Sequence, residues 1–157
     1  MASKPPELRA RKATPADSEA MYAWRNDPET RRYFFDPAPL SADSHARWLS
    51  ASLANAFRHL LIIEYPDGRP VGVVRFDVHR EDNAARIDIY LVPERRGAGL
   101  GAQVLQAAIL WLKENTQVQR IDAEVLSGNH ASRRLFEAAG FSLASLAYTL
   151  DVNESRR

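Results

Sequence analysis

The segment with the most distinct chemistry is the glycine-rich run Arg95-Arg96-Gly97-Ala98-Gly99-Leu100-Gly101. Its glycines allow positive φ angles and let the backbone approach a ligand closely. A helix that begins directly after the run would present unpaired N–H groups and the positive end of its dipole. Arg95 and Arg96 add positive charge at the same place. The run therefore predicts a cradle for a pyrophosphate group.

Two other nucleotide-binding motifs fit the run less well. A Walker loop, Gly-x-x-x-x-Gly-Lys-Ser/Thr, requires a lysine that is missing here. A dinucleotide fingerprint, Gly-x-Gly-x-x-Gly, differs from the spacing of two between Gly97, Gly99 and Gly101. The acids Asp122 and Glu124 do stand roughly where the ribose-binding acid of that fingerprint would fall. A glycine-rich turn without a ligand is the remaining alternative.

The hydrophobic pattern predicts the strands and helices that position this run. Apolar runs and period-two alternation indicate strands, and apolar residues at helical spacing indicate helices. The predicted elements are a strand Leu8–Ala13, a helix from Thr14 to before Pro28, a mostly loop segment Glu29–Pro39, a helix from Ser41, strands His59–Tyr65, Val71–His79 and Arg86–Val92, a helix Gly101–Asn115, a strand Arg120–Leu126, a helix Asn129–Ala139 and a last strand Leu146–Val152. This order predicts an α/β (α+β) fold with a mixed, mostly antiparallel sheet and helices on both faces.

Length and composition narrow the class of protein. The 157 residues predict a single domain over residues 1–157. With 21 basic and 20 acidic side chains, the net charge of +1 favours neither nucleic acid nor an anionic membrane as a partner. The absence of cysteine excludes disulfides, thiolate metal sites and a cysteine nucleophile, and we predict no metal site. No signal peptide or bilayer-spanning stretch is recognisable, so we expect a cytoplasmic protein.

Two signatures together resemble the GNAT superfamily of acetyl-CoA-dependent N-acetyltransferases. The stretch Arg96-x-x-Gly99-x-Gly101 resembles the family's pyrophosphate loop, and Pro93 stands in the usual place before it. The stretch Glu124-Val125-Leu126-x-x-Asn129-x-x-Ser132-x-x-Leu135-Phe136-x-x-x-Gly140-Phe141 is similar to the family's second signature. The two occur in the family's order, and the resemblance covers nearly the whole chain. It implies acetyl-CoA as the acetyl donor.

The resemblance also implies where acetyl-CoA would bind. The fourth and fifth strands would splay apart, and the pantetheine arm would lie between them and pair with backbone near Leu91 and Val92. Asn129 would contact the pantetheine amides, and it is also a good helix N-cap. The expected cofactor-binding residues are Leu91, Val92, Arg95, Arg96, Gly97, Ala98, Gly99, Leu100, Gly101, Asn129 and Ser132.

Amide formation requires a neutral amine, and a lysine-like amine costs about 4.6 kcal/mol to deprotonate at pH 7. Acids on the two splayed strands are the candidate general bases. Glu124 shares a strand face with Asp122, and Asp88 shares a face with Tyr90. We therefore predict Glu124 and Asp88 as catalytic residues, with surface ion pairing as the alternative for each.

One departure from the family concerns the proton that the leaving sulfur receives. Many members carry a tyrosine where this chain has Phe136, which has no proton to give. Tyr90 or a water could replace that tyrosine. A thiolate leaving at pH 7 costs only about 2 kcal/mol, so the loss of the acid is tolerable. The histidines His45 and His79 are weaker candidates for acid–base roles.

Two short motifs in the first half of the chain bear on which class of acceptor the enzyme would use. Trp24-Arg25-Asn26-Asp27-Pro28 and Ser44-His45-x-x-Trp48 resemble ribosomal-protein N-terminal acetyltransferases and amino-sugar acetyltransferases of the pseudaminic acid pathway. Core packing is the alternative explanation for the two tryptophans. The segment between the motifs holds arginines suited to phosphates and aromatic rings suited to a sugar or a base. These residues are Arg25, Arg31, Arg32, Tyr33, Phe34 and Phe35.

The expected acceptor is therefore a small-molecule primary amine, with an amino-sugar nucleotide as the preferred candidate. A protein or peptide N-terminus is the second candidate. A catalytically weak domain that only binds CoA is the third, and Phe136 is its best support. Gly99, Gly101 and Asn129, together with the acids on both strands, favour an active enzyme. A homodimer is compatible with the sequence, which does not determine the oligomeric state.

Overall fold

The computed structural model describes residues 7–149, within which five strands form one sheet in the order β1-β2-β3-β4-β5. Neighbouring strands run antiparallel except for the parallel pair β4 and β5. The strands are β1 (Arg9–Lys12), β2 (Arg58–Glu64), β3 (Pro70–His79), β4 (Ala84–Leu91) and β5 (Arg120–Ala123), and the helices are α1 (Ser18–Asn26), α2 (Pro28–Arg31), α3 (Ala42–Ala54), α4 (Gly101–Asn115) and α5 (His130–Ala138). The mixed, mostly antiparallel sheet confirms the predicted fold class.

The sheet has a separate apolar core on each face. Alternate residues of β2 point to opposite faces, so Leu61 and Ile63 join one core while Leu60 and Ile62 join the other. The first core includes residues of α4 and α5, and the second includes residues of α1 and α3. Helices therefore cover both faces, as predicted. In the described part of the chain, no helix combines the length and the apolar character that crossing a bilayer demands.

Strands β4 and β5 separate after four paired residues. These strands pair only from Ala84 opposite Arg120 to Ile87 opposite Ala123. Strand β4 continues to Leu91, whereas β5 ends at Ala123. The second half of β4 therefore has no strand beside it on that side among the described residues. We call this space the β4–β5 gap, and it confirms the predicted splay of the fourth and fifth strands.

One segment predicted as loop contains a helix. The side chain of Asp27 accepts a hydrogen bond from the N–H of Thr30 at 3.0 Å, and Pro28 occupies the first helical position. Both features favour the start of a helix. The segment Glu29–Pro39 is mostly loop, as predicted, and only its first residues belong to α2.

The predicted strands near the end of the chain are shorter than expected. Strand β5 ends at Ala123, before the predicted Leu126, because the chain then turns towards α5 and the N–H of Asn129 donates to the carbonyl of Leu126 at 2.9 Å. Residues 146–149 form no strand, and Leu146 and Tyr148 are 68% and 90% exposed. The rest of the predicted last strand, residues 150–152, lies outside the described residues.

Close packing of α4 on β3 depends on Gly72. A Cβ at this position would lie 3.0 Å from Cγ1 of Val104 and 3.1 Å from the carbonyl oxygen of Tyr90. Gly72→Ala should therefore push α4 away from the sheet and lower the free energy of unfolding by about 1–3 kcal/mol, measured by urea denaturation. Gly128→Ala is the matched control, because no atom lies within 4 Å of a Cβ added there. Equal effects of the two changes would contradict the packing argument.

Candidate active site

The glycine-rich loop and the start of α4 form a concentration of unpaired N–H groups. Gly97 and Gly99 have φ angles of +76° and +71°, a region that other residues adopt only with strain. The first hydrogen bond of the helix runs from the N–H of Val104 to the carbonyl of Leu100 at 3.0 Å. The N–H groups of residues 101–103 precede this bond and remain available for an anion.

The apolar members of the loop hold it in place. Leu100 is buried in the core beneath α4, whereas Ala98 is exposed. A Cβ at Gly101 would lie 3.5 Å from Cδ1 of Leu135 in α5. The loop is thus anchored by Leu100 and closely approached by α5 at Gly101, while Gly97 and Gly99 are exposed.

The two arginines of the loop have different partners. The guanidinium of Arg95 lies over the ring of Tyr65, 5.6 Å from the ring centroid. The guanidinium of Arg96 donates to the Asp27 carboxylate and to the Thr30 hydroxyl. The hydrogen bond from Arg96 is the main cause of the lowered pKa of Asp27. Arg96 therefore connects the glycine-rich loop to the first turn of α2.

Backbone groups of β4 line the β4–β5 gap. The N–H of Val92 donates to the carbonyl of Val71 at 2.8 Å, so it is occupied on the β3 side. Peptide groups of successive strand residues point to opposite sides of the strand. Leu91, rather than Val92, is therefore the residue that directs its N–H and C=O into the gap.

Asn129 begins helix α5. Its side-chain oxygen accepts a hydrogen bond from the N–H of Ser132 at 3.2 Å, which confirms the predicted N-cap. The cap uses only the oxygen, and the amide NH2 group is the part of Asn129 that can donate to a ligand carbonyl.

Both predicted catalytic acids are paired with arginines. Glu124 follows the last residue of β5, is 61% exposed and lies 3.3 Å from the Arg86 guanidinium. Asp88 is bonded to Arg75, which also contacts Asp77 at 3.1 Å. Arg86 and Asp88 share one face of β4, so the two carboxylates lie on the same side of the sheet. Glu124 is the less constrained of the two.

The two aromatic candidates differ in what they can donate. The Phe136 ring is buried against Phe141 at 4.9 Å between centroids, and it has no proton. Burial raises the pKa of the Tyr90 hydroxyl, while Arg25 and Arg75 oppose that effect. A thiol with a pKa near 8.5 is a stronger acid than this phenol, so Tyr90 would protonate a thiolate only uphill. Tyr90 is suited to donating a hydrogen bond rather than a proton.

Neither of the two candidate histidines has surroundings that favour an acid–base role. His45 is buried between the rings of Tyr22 and Trp48, each 5.6 Å from it between centroids. Burial, with a smaller effect of Arg25, lowers the pKa of His45, which keeps it neutral near pH 7. His79 is exposed at the end of β3. Trp24 and Trp48 pack against the second core, which confirms their predicted packing role.

The sequence pattern grouped Arg25 with Arg31 and Arg32, but the structure gives Arg25 different surroundings. Its guanidinium stacks on Phe34 at 4.1 Å from the ring centroid, and Phe34 in turn contacts Tyr90 edge to face at 5.9 Å. Nη2 donates to the carbonyl of Asp36 at 3.4 Å, and Nη1 is buried with no hydrogen-bond partner among residues 7–149. Burial is the main cause of the lowered pKa of Arg25.

The other two arginines predicted for the acceptor side have local partners. Arg31 donates to the carbonyls of Asn26 at 3.0 Å and Pro37 at 3.1 Å, which fixes the turn after α2. Arg32 is exposed and pairs with Glu29 at 3.4 Å. Arg25 differs from these two in its partners, a stacked ring and one long hydrogen bond, and the amino-acid pattern of the segment carried no signal for this difference.

The family of this chain follows from comparison with known proteins. The family described as Acetyltransferase (GNAT) domain matches residues 7–142. The chain therefore belongs to the GNAT family and is an acetyltransferase.

Individual relatives and solved structures are similar over most of their length. A Bacillus subtilis (strain 168) protein named "Putative phosphinothricin acetyltransferase YwnH" is 27% identical over 131 residues, covering 80% of this chain and 78% of its own. Spermidine N-acetyltransferase from Vibrio cholerae, with CoA and spermine, superposes with a TM-score of 0.81 at 18% identity, covering 88% of this chain and 83% of its own. The ribosomal L7/L12 alpha-N-protein acetyltransferase RimL, with coenzyme A, gives 0.77 at 18% identity, covering 92% and 84%. At these identities the solved structures show a shared fold.

Proposed function

We propose that this acetyltransferase moves the acetyl group of acetyl-CoA directly to the primary amine of a small molecule. The observation that carries the proposal is the β4–β5 gap, which ends at a loop of positive-φ glycines and at the free N–H groups of α4. An extended chain with amide groups fits beside a strand whose peptide groups are unpaired, and a pyrophosphate fits the loop.

The residues present fit the parts of acetyl-CoA. The loop from Arg95 to Gly101 would hold the pyrophosphate, the backbone of Leu91 would pair with the pantetheine arm, and the amide of Asn129 and the adjoining Ser132 would contact its amide groups. Acetyl-CoA supplies the thioester carbonyl that an amine attacks. The protein residues would hold the acceptor against that carbonyl and remove its proton.

Proton removal is assigned to Glu124. Its carboxylate is exposed beside the gap, and its ion pair with Arg86 is longer and looser than the contacts that hold Asp88. The contact with Arg75 fixes the Asp88 carboxylate, which is therefore less free to turn towards an acceptor. In this mechanism Asp88 keeps Arg75 in place, and a water takes the role of the acid that Phe136 lacks.

The acceptor proposed from the sequence is an amino-sugar nucleotide, as in the pseudaminic acid branch of the family. The stacked pair Arg25 and Phe34 supports an acceptor with both a polar and a flat part. A peptide N-terminus is the second candidate, because the motif Ser44-His45-x-x-Trp48 also resembles enzymes that acetylate ribosomal proteins. The phosphinothricin in the name of the Bacillus relative is a third compound to test as acceptor.

Ligand binding at the loop is tested by thermal unfolding. Acetyl-CoA at a hundred times its dissociation constant should stabilise the protein by about 2.7 kcal/mol, while NADH and ATP should do much less. Gly99→Val should abolish the shift, because the residue has φ +71° and lies where the backbone must approach the pyrophosphate. Gly140→Val is the matched control, because Gly140 also has a positive φ, +95°, but lies outside the loop. Equal stabilisation by NADH would contradict the proposal.

The general base is tested by removing one charge. Glu124→Gln keeps the size of the side chain and should lower turnover by about a hundredfold or more, with little change in the KM for acetyl-CoA. Asp122→Asn is the control, because Asp122 is an exposed carboxylate that belongs to β5 and pairs with Arg120 at 3.1 Å. Full turnover of Glu124→Gln across the pH range would assign the base to Asp88 instead.

A further inference from the structure

The face of the sheet beside the β4–β5 gap carries three guanidinium groups and three carboxylates that pair with one another. Arg58 pairs with Asp77 at 2.6 Å, and Arg75 contacts both Asp77 and Asp88. Arg86 pairs with Glu124 at 3.3 Å. Each of these three arginines thus has at least one carboxylate partner, so their charges are largely balanced on the sheet itself.

Arg25 differs from these three arginines. No carboxylate among residues 7–149 forms an ion pair with it, and its hydrogen bond to the Asp36 carbonyl is long at 3.4 Å. Its Nη1 is buried and unpartnered within the same residues. The Asp36 carboxylate forms no ion pair with Arg25 among these residues and acts on it only through its charge, which opposes the lowering of the Arg25 pKa. Phe34, on which the guanidinium stacks, contacts Tyr90 at 5.9 Å between ring centroids, and this places Arg25 near the second half of β4. Strand β5 no longer covers that half of β4.

The contact with Phe34 orients this unbalanced charge. The ring covers one face of the guanidinium at 4.1 Å, and Tyr90 contacts the edge of that ring. Stacking occupies the face of a guanidinium and leaves the N–H groups at its edge, which match the two oxygens of a carboxylate or phosphate. The side chain is thus held by packing and lacks the partner that its edge is shaped to bind.

We infer that the acceptor amine carries an anionic group, a carboxylate or a phosphate, and that Arg25 binds this group. The inference rests on the proposed function, since it places an acceptor on this face of the sheet. The amine would then lie towards Glu124 and Asp88, and the anion would lie towards α1. A polycation such as spermidine would bring like charge to Arg25 and is expected to be a poor acceptor.

Matched pairs of amines test the inference. With saturating acetyl-CoA, kcat/KM is measured for L-methionine against L-methioninamide and for glucosamine 6-phosphate against glucosamine, with spermidine as the polycation. We expect the anionic member of at least one pair to exceed its neutral counterpart by tenfold or more. The pair that shows the difference identifies a carboxylate or a phosphate as the anion. Equal or better use of the neutral amines or of spermidine would overturn the inference while leaving acetyl transfer intact.

Variants of Arg25 connect the preference to this residue. Arg25→Met should remove the preference for the anion without changing the KM for acetyl-CoA, and Arg25→Lys, which keeps the charge, should retain part of it. Arg47→Met is the matched control, because Arg47 is an exposed arginine of α3, and it should keep the full preference. A preference that survives in folded Arg25→Met would overturn the inference.

Binding provides a readout that does not depend on turnover. Calorimetry of the CoA-loaded protein should detect the preferred anionic amine with at least tenfold weaker binding in Arg25→Met. If neither anionic amine is acetylated and neither binds the natural chain more tightly than Arg25→Met, the inference is wrong. Failure of the proposed function itself would be visible separately, as loss of the stabilisation by acetyl-CoA.

Discussion

The unequal length of β4 and β5 is the constraint on which the rest of the site depends. The two strands pair over four residues, after which β4 continues alone to Leu91. An unpaired strand edge within a protein is unfavourable unless something satisfies its peptide groups. The same edge ends at the glycine loop and at α4, whose first N–H groups are also free. The proposed ligand, acetyl-CoA, is extended at one end and anionic at the other and would satisfy both sets of groups.

Charge is arranged differently at the two ends of this site. At the loop, Arg96 is held by Asp27 and Thr30, so a single guanidinium connects the glycine-rich loop with the start of α2. Beside the gap, three arginines are paired with carboxylates of the sheet, and Arg25 is held by stacking. Paired charges mainly fix side-chain positions, because most of their field is cancelled locally. The charge of Arg25 is not cancelled by an ion pair among the described residues, so we expect it to contribute more to binding an anionic ligand than the paired arginines do.

The parts of this structure that could be predicted from the sequence depend on local patterns. The apolar run His59–Tyr65 predicted strand β2, and the glycines with their following helix predicted the loop. Asn129 was predicted as a cap from its type and position alone. The early end of β5 was missed because the length of this strand depends on where the chain separates from β4, which a local sequence pattern does not encode. The stacking of Arg25 on Phe34 was missed because it depends on tertiary packing, which the local sequence around Arg25 does not encode.

Residue-resolved amide hydrogen exchange, with and without saturating CoA, is the most direct test of the central claim that the β4–β5 gap and its loop receive the acetyl donor. Binding should slow exchange at the N–H of Leu91 and at those of residues 97–103, because a ligand would then occupy these donors. The N–H of Val92, already bonded to Val71 at 2.8 Å, should change little. Unchanged exchange at Leu91 and across residues 97–103, with protection confined to other parts of the chain, would contradict the account.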